Sequence, residues 1–143
     1  IWKVPSQGGE AIQVTHLKEG ADVPQESPDA KFLYYCRGYP FAQSVWKIPV
    51  EGGQETKMID SVHPLALWTV RQEGIYYFTP PREQDRSTLC LYEFASGKTR
   101  KILETERPLA YAANFAISPN GRTILYAQWD EAGSNLMLVE NFR

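Results

Sequence analysis

The sequence predicts an all-β chain built from repeated four-stranded antiparallel sheets, and three observations predict it. Short β-rich runs recur at a fixed spacing, proline- and glycine-bearing turn signals lie between them, and no segment keeps a helical period. The spacing comes first, because a missed repeat misreads the whole chain. Ile1-Trp2-Lys3-Val4-Pro5 returns as Val45-Trp46-Lys47-Ile48-Pro49, a shift of 44, and Gly8-Gly9 returns as Gly52-Gly53 at the same shift. A further shift of 44 sets Val45 on Leu89, Gly53 on Gly97 and Ile59 on Leu103. SVWKIPVEGGQETKMI and TLCLYEFASGKTRKIL thus read as two copies of one hairpin. A second echo has a shift of 91, about two periods, and sets SPDAKFLYY from Ser27 on SPNGRTILY from Ser118.

The turns have a physical reading. In Ser27-Pro28-Asp29-Ala30 and Ser118-Pro119-Asn120-Gly121, proline presets φ at the second position, Asp or Asn tolerates the third, and a small residue follows. GGQ and SGK are tight hairpin turns in which glycine supplies positive φ. Proline and β-branched residues interrupt every candidate helix.

The elements follow in order as strands a to d of a repeating unit. Strand a is expected near 21–27, 65–71 and 111–118, and strand b near 31–37, 74–79 and 122–129. Strand c is expected near 1–5, 44–50, 88–94 and 135–142, and strand d near 11–15, 55–60 and 99–104. FLYYC and GIYYF are apolar at consecutive positions, as strands are when both faces of their sheet are covered. A four-stranded unit of this length, repeated, is the blade of a β-propeller. The chain then holds about three blades, half of a six-bladed ring: a partial blade over 1–15, blades over 21–60 and 65–104, and an incomplete blade over 111–143. A single β-sandwich is the structural alternative, but it needs no regular hairpin repeat.

Composition sets the bounds on function. The chain has 143 residues, 43% hydrophobic and 22% charged, which is a globular and not a disordered composition. Its net charge is −2 and its cations are scattered, so no basic footprint for nucleic acid is expected. No apolar stretch approaches the roughly 18 residues of a membrane helix, and no signal peptide is visible. The chain opens at Ile1 without an initiator Met, as expected of a processed protein or a fragment. Cys36 and Cys90 sit in apolar strands without a C-x-x-C spacing and read as buried reduced thiols, not as zinc or redox ligands.

ESPDAKFLYYCRG, SVWKIPVEGG, ISPNGRTILYAQWD and SNLMLVENFR resemble the TolB-like, WD-repeat-like β-propeller repeats of bacteria, over nearly the whole chain. The middle unit departs from the pattern, with Arg71-Gln72-Glu73-Gly74 standing where Ser-Pro-Asp-Gly would be. The ending is similar to that of acidobacterial-type proteins in which such repeats follow a winged-helix DNA-binding domain, although no winged helix is present here. The resemblance implies a binding or ligand-sensing module. It also leaves open the accessory propeller of a prolyl-oligopeptidase-like hydrolase, or the sensor part of a transcriptional regulator.

No G-x-S-x-G, H-E-x-x-H or Walker loop occurs, so neither a catalytic residue nor a cofactor is expected. Metal binding is not expected either. Asp130-Glu131 with Asn135 lacks calcium-loop spacing, and the two histidines and separated cysteines lack zinc spacing. The candidate contact surface is instead the end of the units formed by the b–c and d–a loops. It holds Tyr39, Phe41, Arg82, Asp85, Arg86, Trp129 and Asp130 from the former, and His63 and Arg107 from the latter. Aromatic and Arg side chains are enriched at binding hot spots; the plainer reading is that the aromatics cap the core and the charges are solvated. The expected partner is a protein or a small ligand. A second copy is also expected, because the leading c–d hairpin and the trailing a–b–c unit are complementary and two chains would close one ring. Ile12, Val14, Leu136 and Leu138 would lie on the faces such an association covers.

Overall fold

Backbone pairing in the computed structural model follows the sequence repeat from strand to strand. The structure describes residues 1–18, 20–38, 43–110 and 115–129. Among them lie twelve strands: β1 (Trp2–Lys3), β2 (Ile12–Gln13), β3 (Asp22–Glu26), β4 (Phe32–Arg37), β5 (Ser44–Pro49), β6 (Thr56–Ile59), β7 (Trp68–Val70), β8 (Gly74–Phe78), β9 (Thr88–Glu93), β10 (Lys98–Glu104), β11 (Ala116–Ile117) and β12 (Ile124–Leu125). A 3-10 turn at Glu83–Asp85 is the one helical element among the described residues. The chain is all-β.

The strands form four antiparallel sheets: β1-β2, β3-β4-β5-β6, β7-β8-β9-β10 and β11-β12. Their registers coincide at the shift of 44. Trp2 pairs with Gln13, Trp46 with Lys57 and Cys90 with Lys101. A bulge recurs too. Pairing skips Met58 between Ile59 and Lys57, and skips Ile102 between Leu103 and Lys101. Bulges of this kind twist outer strands and blunt their free edges.

The turns repeat bond for bond. The Ser27 hydroxyl donates to Asp29 Oδ1 at 2.6 Å and accepts the Phe32 N–H at 2.9 Å; the Ser118 hydroxyl donates to Asn120 Oδ1 at 2.7 Å and accepts the Thr123 N–H at 2.9 Å. Ala30 and Gly121 donate their N–H to the Ser27 and Ser118 carbonyls, both at 2.8 Å, and both lie at positive φ. The Gly8 and Gly52 N–H groups close their hairpins on Pro5 and Pro49. The departing middle turn, Arg71 to Gly74, closes by reciprocal backbone bonds between those two residues.

Each inner sheet buries both faces, because successive side chains along a strand point to opposite sides. Tyr34, Cys36, Val45 and Ile59 of the first four-stranded sheet meet Trp68, Val70, Ile75, Tyr77 and Cys90 of the second. On the other side of the first sheet, Tyr35 and Ile48 pack with Val14. On the other side of the second, Phe78, Leu89, Tyr76 and Leu91 pack against Leu109, Ile117, Phe115 and Ile124. Each such large apolar side chain contributes roughly 1.5–3 kcal/mol on burial. The sheets therefore stack in chain order, which accounts for the doubly apolar strands FLYYC and GIYYF.

Polar clamps join the first strands of neighbouring sheets. Gln25 Nε2 donates to Trp68 O at 2.9 Å, while its Oε1 accepts from the Val70 N–H and the Thr69 hydroxyl, both at 3.1 Å. Arg71 Nη2 donates to Ile117 O at 3.2 Å and ties the second sheet to β11.

Several details differ from the expectation. Strand β7 starts three residues late, because a turn closed by Ala66 N–H on His63 O, with Ala66 at φ 52, occupies its beginning. Val14 is buried and not on an open face: β2 ends at Gln13, which breaks the alternation, and Ile12 alone stays exposed. The expected strand at 135–142, with Leu136 and Leu138, lies outside the described residues, as does much of the expected strand at 111–118.

Candidate functional site

Strand order places Gly38 and Gln43 of the first b–c connection, the second b–c loop (79–87) and the d–a loops (60–67 and 105–110) at one end of the stack. Ile59 pairs with Val45 and Glu104 with Thr88, so β6 and β10 both finish where β5 and β9 begin. Buried polar residues fix this end. Gln43 accepts the Val62 N–H on its carbonyl and donates its side-chain amide to Pro64 O, both at 2.8 Å. Ser87, 44 residues on, accepts the Thr105 N–H at 2.9 Å and donates its own N–H to Thr105 Oγ1 at 3.0 Å. Both residues are about 1% exposed. The Gln43 Oε1, Arg86 Nε, Ser87 Oγ and Gln128 Oε1 atoms are buried here without a hydrogen-bond partner among the described residues.

His63 is buried and serves as a pin. Its N–H donates to Phe78 O at 2.8 Å, which ties the first d–a loop to the second sheet. Its Nδ1 accepts the Leu65 N–H at 3.2 Å. Burial pushes the imidazole below its ordinary value, so the ring is neutral at pH 7.

The loop at 79–87 is a closed structure. The Thr79 N–H donates to Thr88 O, the Thr88 N–H to Thr79 Oγ1, and the Arg82 N–H to Arg86 O. At its tip Gln84 and Asp85 both adopt positive φ, a conformation that costs non-glycine residues free energy. Arg82 and Asp85 are exposed, whereas Arg86 is half-buried. Close by, the Glu104 carboxyl is held below its usual range, chiefly by the hydrogen bond from Lys101 at 2.6 Å, with Arg86 and Arg82 adding. Arg107 is exposed, and Trp129, 46% exposed, anchors its N–H on Pro108 O. Tyr39, Phe41 and Asp130 lie outside the described residues.

A cleft of about 490 Å³ opens between the two four-stranded sheets at this end. Of the residues expected at the site, Arg82 lines it, together with Asp60, Ser61, Tyr77, Thr79 and Thr99. The sequence reading missed those five: Tyr77 and Thr99 are strand residues that look like any other alternating positions, and Asp60, Ser61 and Thr79 are small polar residues at strand ends with no distinguishing mark. Gln43 and Ser87 were detectable: a polar residue recurs at the shift of 44 immediately before each apolar c strand.

The chemistry available is modest. Burial pushes the Cys36 thiol up to about 12 and raises Cys90 as well, so both free cysteines are protonated and poor nucleophiles. Among the described residues no group of three or more His, Cys, Asp and Glu side chains could hold a metal ion. Nor is any helix among them long and apolar enough to cross a membrane. In comparison with known proteins, no family model and no curated sequence matches the chain.

Proposed function

We propose that the chain is a segment of a TolB-like β-propeller, each four-stranded sheet one blade, and that it is a non-catalytic binding or scaffolding module. Its contact surface is the b–c and d–a loop end, and its partner a protein or small ligand. The observation that carries the reading is the gathering of exposed Arg82, Asp85, Arg107 and Trp129 at that end, where the 490 Å³ cleft opens on a framework of fixed loops. The blade assignment rests on the pairing and the bulge repeating at a shift of 44 in sheets stacked face to face. The non-catalytic part is supported by His63, whose Nδ1 is occupied and whose ring is buried as a structural pin.

The test uses capture of binding partners by the purified chain, followed by the same capture with Arg82→Ala, Arg107→Ala and Trp129→Ala combined. All three side chains are exposed, so the fold should survive their loss. Loss of capture is expected; unchanged capture of every partner removes this end as the contact surface. Hydrolase activity in the purified chain would favour an accessory enzyme domain instead. Assembly belongs to the same reading. β1-β2 is a c–d pair with Trp2, Val4 and Ile12 exposed, and β11-β12 is an a–b pair with Leu125 exposed. Pairing strand d of the leading c–d hairpin in one copy with the expected strand c of the trailing a–b–c unit in another would close a six-bladed ring. A strictly monomeric 16.3 kDa species in light scattering rules that out.

A further inference from the structure

The second cleft between the four-stranded sheets lies at the opposite end, where the a–b turns are, and has a different character. It measures about 460 Å³, within the roughly 300–1,000 Å³ of small-molecule sites. Its walls are aromatic on both sides: Phe32 and Tyr34 from β4 of the first sheet, Tyr92 and Phe94 from the β9 side of the second. Tyr34 and Phe94 stack across the gap at 5.9 Å, and Tyr92 meets Phe94 edge-on at 6.3 Å. Two cations, Lys47 and Arg71, line the same space.

Neither cation is neutralised by an ion pair among the described residues. Lys47 Nζ sits 4.7 Å from the centre of the Phe32 ring, and Arg71 donates one Nη2 hydrogen bond to Ile117 O. The single carboxylate of the lining, Asp29, is already engaged by the Ser27 hydroxyl and the Lys31 N–H. A third group is independent of these. Tyr34 is 3% exposed, and the residue lines the cleft. Burial, with the Asp29 and Tyr92 charges adding, pushes this phenol up to about 12. It is therefore a fixed proton donor at any physiological pH.

We infer that this cleft is a second binding site, distinct from the loop end, for small carboxylates with an aromatic body. The ring of the ligand lies among Phe32, Tyr92 and Phe94. The carboxylate faces Lys47 and Arg71, with the Tyr34 hydroxyl donating to it. The aromatic walls select a flat apolar body, and the two free cations against one engaged carboxylate select an anion.

Calorimetric titration of the full chain with 2-naphthylacetate tests this, with the neutral 2-naphthylacetamide as the matched control. The carboxylate should bind at least tenfold more tightly than the amide. Lys47→Gln and Tyr34→Phe, each removing one polar group while keeping the bulk, should each weaken the carboxylate at least threefold and leave the amide unchanged. Equal affinity for acid and amide overturns the inference, as does absence of binding by the acid, or binding that neither variant alters. Thermal melting of both variants, matched to the parent, excludes loss of fold as the cause of weakened binding. Arg82→Ala at the other end should leave the titration unchanged; if it abolished binding, the ligand would belong to the loop-end cleft.

Discussion

Ala30 and Gly121 occupy one position of a repeated turn with different residues, and exchanging them should change stability in opposite directions. The flanking hydrogen bonds agree to within about 0.1 Å: serine hydroxyl to Asp29 or Asn120, and strand N–H back to the serine. Backbone φ is 57° at Ala30 and 68° at Gly121. A left-handed conformation costs an L-residue roughly 1–2 kcal/mol. Glycine removes that cost but gives the unfolded chain more freedom, worth roughly 0.4–1 kcal/mol in the other direction. Ala30→Gly should thus stabilise by about 0.5–1 kcal/mol. A Cβ built on Gly121 meets nothing within 4 Å, so Gly121→Ala carries no steric term and should destabilise by a similar amount. For a chain of this length the expected shift in Tm is roughly 1–4 °C, upward for the first and downward for the second. Differential scanning calorimetry measures both. A lower Tm for Ala30→Gly, or an unchanged one for Gly121→Ala, would refute the assignment of one turn geometry to both sites.

Gly74→Ala should be far more damaging than either exchange, because its Cβ would fall 2.0 Å from Tyr92 O and 2.9 Å from a Leu91 methyl. The pairing of β8 with β9 must open, at a cost of more than about 3 kcal/mol; a urea midpoint within error of the parent would contradict that contact. Acid should weaken the fold through His63. Burial lowers its folded pKa below 6.5, so the unfolded chain takes up the proton first. The contribution is full above pH 6.5 and is lost as pH falls through the folded value. The urea midpoint should therefore drop between pH 7.5 and pH 5, and His63→Asn should flatten that drop; an equal drop in the variant would point to other groups.

The strand order was legible in the sequence wherever the repeat had distinctive residues. Trp2 and Trp46, the two Gly-Gly pairs and the two Ser-Pro turns fixed the positions of β1, β4, β5 and β12, and the shift carried β9 and β10 with them. Strand β7 was harder, because the His63–Ala66 turn shortens it and a backbone conformation leaves little mark in composition. The inter-sheet clefts were not legible. Tyr34, Tyr77 and Tyr92 alternate along their strands like ordinary core residues, and only the packing of two sheets shows which of them border a gap. His63 looked like a loop side chain available to a partner; its burial and its bond to Leu65 follow from tertiary placement alone.

Because each inner sheet is covered on both sides, its cohesion is borrowed from its neighbours. The cluster joining Tyr34 and Cys36 to Ile75 and Tyr77 belongs to neither sheet alone. Such an array behaves as a one-dimensional chain of coupled units, with stability passed along it by contact. Amide hydrogen exchange should then be slowest in β4, β5, β8 and β9 and fastest in the two-stranded sheets at either end, a gradient set by position in the row more than by local sequence. The same coupling makes the array extensible. Another copy of the 44-residue unit could enter the row without redesign of the existing ones, since the face it must match is already repeated twice.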